Sequence, residues 1–145
     1  MTPTPDDLTR QWFEQVWNQG NEAAIDRLLA TDARIHGLGG AMTGPDGFKP
    51  MWRTFRAAFA DLHITVERTF VDGDVCVAHC RVRGRHAGDA LGGPASGRSI
   101  DIEGVTITRS RGDQLVEGWN VFDFLGMYQQ LGWVANPVLP VAGVS

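Results

Sequence analysis

The stretch HITVERTFV (residues 63–71), DGD (72–74) and VCVAHCRVRG (75–84) decides how this chain folds. Valine, isoleucine, threonine and phenylalanine dominate the two arms, which suits extended backbone, and Asp72-Gly73-Asp74 is a turn signal between them. The arms read as an antiparallel hairpin, with the second arm continuing toward His86. Beyond it, Ala87 to Gly97 is a glycine-rich loop and Arg98 to Arg109 a third strand. Arg111-Gly112-Asp113 turns the chain into a fourth strand, Gln114 to about Phe122. A short helix from Phe124 to Leu131 follows and ends at Gly132.

Ahead of the hairpin the period becomes helical. Asp6 and Asp7 cap or charge the start of a first helix, in which Leu8, Trp12, Phe13, Val16 and Trp17 repeat at helical spacing until Asn18-Gln19-Gly20 stops it. Asn21 caps a second helix with Ile25, Leu28 and Leu29 turned inward, and Ala33 to His36 is a short strand. Gly37-Leu38-Gly39-Gly40 is a flexible loop. A third helix after Thr43-Gly44-Pro45 carries Phe48, Trp52, Phe55 and Phe59, and Pro50 predicts that it begins or bends there. Helices first and long strands second predict an α+β domain, with helices packed on one face of a curved, mostly antiparallel four-stranded sheet. One domain spans 1–145, with a core from about 8 to 132 and an irregular tail from 133 to 145.

Hydrophobic residues are 43% of the chain and charged residues 21%, an ordinary globular balance. Net charge is −4 with no basic block, which disfavours nucleic acid as a partner. There is no apolar run long enough for a bilayer and no signal-peptide pattern at Met1 to Asp7, so no membrane association and a cytoplasmic location are expected. Cys76 and Cys80 lie on one face of a strand, roughly 13 Å apart, too far for a disulfide, and read as small buried hydrophobes.

Asp123 stands in Gly118–Tyr128, a stretch that is otherwise almost uncharged and rich in large apolar residues. Such a segment is expected to be largely buried, and a buried carboxyl group suits proton transfer. The alternative is a carboxylate that caps the final helix. His86 precedes the glycine-rich loop and either orients Asp123 and a substrate oxygen or ties that loop to the sheet. His36 either lines an opening or anchors its loop. Asn120, beside Trp119, offers an amide to a substrate oxygen, although its odd spacing from Asp123 points the two to opposite faces of a regular strand. Asp101 and Glu103 share a strand face, either toward a cavity or as a solvated surface. Trp12 and the other helix aromatics suit a core, and also the wall of a site for a planar ligand. The histidines lack zinc-site spacing, so no metal is expected.

Several segments together resemble the SnoaL-like polyketide cyclases of the nuclear-transport-factor-2-like superfamily. They are Trp17-Asn18-Gln19-Gly20-Asn21, Gly44 to Lys49, Phe59-Ala60-Asp61-Leu62, Gly84 with His86 and Gly88, Gly92 with Pro94, Gly97 and Arg98, and Trp119, Asp123, Leu125-Gly126 and Gln129 to Gly132. The resemblance implies a cone-shaped α+β barrel and a cofactor-independent aldol ring closure or related proton transfer on a small apolar carbonyl or ester substrate, polycyclic aromatics included. It implies Asp123 as general acid/base and His36 as a recurring histidine at the opening; the reading of the residues themselves adds His86 as Asp123's assistant and Asn120, Trp119, Glu103 and Trp12, with His36, as substrate-binding residues. It also implies a homo-oligomer, dimer or tetramer. Two other readings remain. One is an epoxide hydrolase of the same cone, which uses an Asp–Arg–Asp arrangement that Arg98 and Asp101 do not match in spacing. The other is a non-catalytic small-molecule-binding module.

Overall fold

Helix α1 (Pro5–Gln11) opens the computed structural model of the chain, which describes residues 2–135. Positions 136–145, most of the expected tail, lie outside the described residues. The Thr4 hydroxyl accepts from the Asp7 amide at 3.0 Å and the Asp7 carboxylate accepts from the Thr4 amide at 3.1 Å, a reciprocal cap. The helix continues as a π-helical stretch, Trp12–Asn18, that buries Trp12, Phe13, Val16 and Trp17. Helix α2 (Glu22–Leu28) is capped by Asn21, whose side chain accepts from the Ala23 amide at 3.1 Å. It passes straight into β1 (Leu29–His36), and β2 (Met42–Thr43) leads to α3 (Gly44–Ala58). Pro50 does not interrupt α3. It sits with Asp46 on the exposed side, where water can take up the carbonyl that loses its donor.

Four long strands follow: β3 (Phe59–Asp72), β4 (Val75–His86), β5 (Ser99–Arg111) and β6 (Gln114–Phe122), with α4 (Phe124–Gln130) at the end. They belong to one six-stranded sheet in the order β2-β1-β6-β5-β4-β3. All neighbours are antiparallel except β1 and β6, which run parallel. The expectation of four strands is corrected because β1 docks beside β6 and β2 extends that edge. That pairing joins segments far apart in the chain and leaves no mark in local periodicity.

The concave face carries Cys76, Ala78, Cys80 and Val82 of β4 and Ile100, Ile102, Thr106 and Thr108 of β5, all buried under the helices. Trp52 locks α3 to the π-helical stretch by donating its indole N–H to the Val16 carbonyl at 2.9 Å. Both cysteines are unbridged, and burial pushes the Cys80 thiol up to about 12, so they act as small core residues. The other face is charged at one end of β4 and β5, where Arg81 grips Asp101 in a fork at 2.7 and 2.6 Å, and apolar at Val105 and Ile107. Among the described residues no helix is long and apolar enough to cross a membrane.

One glycine ties the β1–β6 junction together. Gly37 has φ +89°, and a Cβ there would lie 1.9 Å from the Asn120 carbonyl oxygen. Gly37→Ala should therefore lose about 1 kcal/mol from backbone conformation alone, and more from the collision, as a lower urea midpoint. An unchanged midpoint would contradict this packing.

Candidate active site: a narrow apolar slot under the sheet

Helix aromatics and the concave sheet face enclose a cavity. Its volume is about 90 Å³, open at a mouth. It is therefore a slot rather than a chamber. Trp12, Phe13, Trp17 and Phe48 wall it on the helix side, and Ile64, Val82, Ile100 and Ile102 on the sheet side. Trp12 and Phe48 support each other with ring centroids 5.0 Å apart. No Lys, Arg or His lines the slot among the described residues; Thr106, Thr108 and Asn120 are its polar residues on the sheet side, and Glu117 borders it with its carboxylate turned to His36 and Arg109.

A bulge puts Asn120 there. Leu115 pairs with Ser110 and Glu117 with Arg109, which leaves Val116 as an extra residue in β6. Past it, Gly118, Asn120 and Phe122 pair with Thr108, Thr106 and Gly104 and face the slot. Asn120 Nδ2 donates to the His36 carbonyl at 2.9 Å, and Asn120 Oδ1 accepts from Thr106 Oγ1 at 3.0 Å. A carbonyl only accepts, so this contact fixes which way the amide points. The second Nδ2 hydrogen has no partner among the described residues.

Of the residues expected to form a site, Asn120 and Trp12 reach the slot. His36 contributes through its backbone carbonyl, while its ring lies on the convex face. There His36 Nε2 is 2.9 Å from Glu117 Oε2, and the ring stacks on Trp119 with centroids 5.6 Å apart and planes at 23°. Arg109 covers Trp119 at 5.7 Å and approaches Glu117 Oε1 at 3.6 Å. Trp119 is thus corrected from a substrate wall to a convex-face residue, because the register pairs it with His36 and Ile107. Glu103 is corrected in the same way: it is exposed and pairs with His79 Nε2 at 3.0 Å. Asp101 points outward to Arg81, so no Asp–Arg–Asp arrangement enters the slot.

The stretch around Asp123 is not buried as a whole: Val121 is 71% and Leu125 59% exposed, and Asp123 is exposed as well. Its apolar residues alternate between slot and convex face, so an apolar neighbourhood in sequence does not bury the carboxylate. Asp123 Oδ1 accepts from the Gly126 amide at 2.8 Å and caps α4. His86 is fully buried but does not line the slot. Its Nδ1 accepts from the Ser96 amide at 3.1 Å and lies 2.9 Å from Ser96 Oγ, while its backbone bonds Arg98 and Gly97 at 2.8 Å each. Its ring packs against Phe59 and Trp133, and Nε2 has no hydrogen-bond partner among the described residues. His86 is therefore the post to which the glycine-rich loop is tied. Thr106 and Thr108 were not singled out in the sequence, although their alternation with Ile107 and Arg109 marks them as inward. Among the described residues no three His, Cys, Asp or Glu side chains converge as a metal site.

The SnoaL-like polyketide cyclase family matches residues 7–131 of the chain. No curated protein matches it. Among solved structures, IdmH from Streptomyces antibioticus, a candidate polyketide cyclase, is 29% identical with a TM-score of 0.80, covering 90% of this chain and 99% of that one. TsrD from Streptomyces laurentii is 27% identical with a TM-score of 0.78, covering 89% and 95%. A candidate polyketide cyclase from Acidithiobacillus ferrooxidans is 29% identical with a TM-score of 0.76, covering 93% and 99%.

Replacing the loop post tests its role. His86→Leu removes the acceptor of the Ser96 amide, which should cost about 1–3 kcal/mol and speed hydrogen exchange at that amide. Exchange at Ser96 as slow as in the unchanged protein would remove His86 from that role.

Proposed function

The chain belongs to the SnoaL-like polyketide cyclase family, and on that footing we propose that it is a cyclase-like enzyme. A small, neutral, apolar carbonyl or ester substrate lies in the slot and closes a ring by an intramolecular aldol reaction or a related proton transfer. The observation that carries this reading is a clamped but uncommitted amide donor on the sheet side of a mostly apolar slot, the second Nδ2 hydrogen of Asn120. Held by Thr106 and the His36 carbonyl, it suits a substrate carbonyl oxygen and strengthens as that oxygen gains charge in an enolate. The lack of a cationic side chain in the lining, among the described residues, favours a neutral substrate over a carboxylate or phosphate.

Asp123 is the proton carrier in this proposal. Phe122 and Phe124 on either side of it line the slot, and of its two carboxylate oxygens Oδ1 alone is held by an amide among the described residues. The carboxylate gives up that cap, turns to the rim and takes the proton from the carbon beside the carbonyl. It returns the proton to the alkoxide once the carbon–carbon bond has formed, so the step consumes no co-reactant. Pairing of two copies through the convex sheet face belongs to the same proposal. Val121 is 71% exposed there, beside the half-buried Val105, Ile107 and Trp119.

Asparagine caps a helix as well as aspartate does, so Asp123→Asn separates the two roles. Turnover of an aromatic keto-ester should fall on the order of 100-fold with binding unchanged. Unchanged turnover would leave Asp123 a cap alone, and tight binding without any wild-type turnover would favour the binding-module reading. Val121→Arg should reduce the sedimentation mass from that of an oligomer to that of one chain; a wild-type protein that already sediments as one chain would contradict the paired face.

A further inference from the structure

The hydroxyl protons on the sheet side of the slot are already committed. Thr9 Oγ1 donates to the Pro5 carbonyl at 2.8 Å, and Thr108 Oγ1 lies 2.9 Å from Thr9 Oγ1 and 3.4 Å from the Cys76 carbonyl. Thr108 has one proton, and whether it goes to Thr9 or to Cys76, none remains for the slot. Thr106 commits its proton to Asn120 Oδ1, which can only accept. Both threonines line the slot, and a hydroxyl oxygen that either turns toward a ligand offers lone pairs and no proton. Glu117 also borders the slot, but its carboxylate oxygens are engaged by His36 and Arg109. The polar strip thus presents one donor, at Asn120. Its acceptor lies at Thr108, two residues along β5 from Asn120's cross-strand partner Thr106, a diagonal neighbour of Asn120 about 7 Å away.

From this pattern we infer that Thr108 is a specificity-determining residue: the slot selects a flat, neutral ligand with a carbonyl oxygen for Asn120 and, at about 7 Å from it, a hydroxyl that donates to Thr108. A ligand with an ether or second ketone at that place sets two acceptors against each other in a water-poor slot and binds less tightly. The carbonyl half of this inference rests on the proposed function, and the hydroxyl half is additional.

The test is calorimetric titration with 6-hydroxy-1-tetralone, 6-methoxy-1-tetralone and 1-tetralone, flat ketones whose ring places the hydroxyl at the required separation. The hydroxy ketone should bind about fivefold to tenfold more tightly than the methoxy ketone. Thr108→Val should erase that preference and Thr108→Ser should keep it. Equal binding of hydroxy and methoxy ketones, or a preference that survives in Thr108→Val, would overturn the inference. The wild-type comparison stands whether or not Thr108→Val folds. If 1-tetralone binds and the hydroxyl adds nothing, only the Thr108 assignment fails; if none of the three binds, the carbonyl site fails and this inference with it.

Discussion

An extra residue in β6, Val116, determines which side chains meet inside this protein. Strict alternation from the buried Leu115 would send Glu117, Trp119 and Val121 toward the helices and turn Asn120 outward. A carboxylate would then face an interior walled by Trp12, Phe13 and Trp17, at a large desolvation cost. With the bulge, Gly118, Asn120 and Phe122 turn in, and Glu117 meets Arg109 and His36 on the convex face. The interior becomes neutral and the convex face takes the charges. Gly104 completes the arrangement, because the Phe122 ring lies so close over it that a Cβ would sit 2.2 Å from the ring.

A neutral interior makes its few polar groups count for more. Each of them is held by a partner that fixes its direction: Asn120 by His36 and Thr106, and Thr108 by Thr9. Such clamping sets donors and acceptors in place before a ligand arrives, and little reorganisation is then needed during a reaction. The same economy of partners places His86. Its imidazole serves the Ser96 amide and its backbone serves Gly97 and Arg98, so one residue fastens both ends of a glycine-rich loop.

Much of this fold was legible in the sequence because it rests on local periodicity. The hairpin around Asp72-Gly73-Asp74, the Asn21 cap and the run of core aromatics from Trp12 to Trp17 are all where spacing puts them. Even the opposition of Asn120 and Asp123 follows from counting residues along a strand. The parallel pairing of β1 with β6 did not show, since it depends on docking segments that lie far apart in the chain. The bulge left no signal either, because Val116 is neither a glycine nor a turn former and its neighbours keep a strand-like composition. Asp123 misled for a related reason: apolar residues alternating between two faces look in sequence like one buried segment. Its role as a helix cap was the alternative that the strand–helix junction already offered.

In the proposed function, Asn120 meets a ligand's carbonyl oxygen through one particular hydrogen. Side-chain amide NMR of Asn120 during titration with 1-tetralone measures this directly. One Nδ2 proton, the one not bonded to the His36 carbonyl, should shift downfield with saturation while its twin stays nearly fixed. Saturable binding that leaves both protons unmoved would place the ligand elsewhere and remove Asn120 from that role.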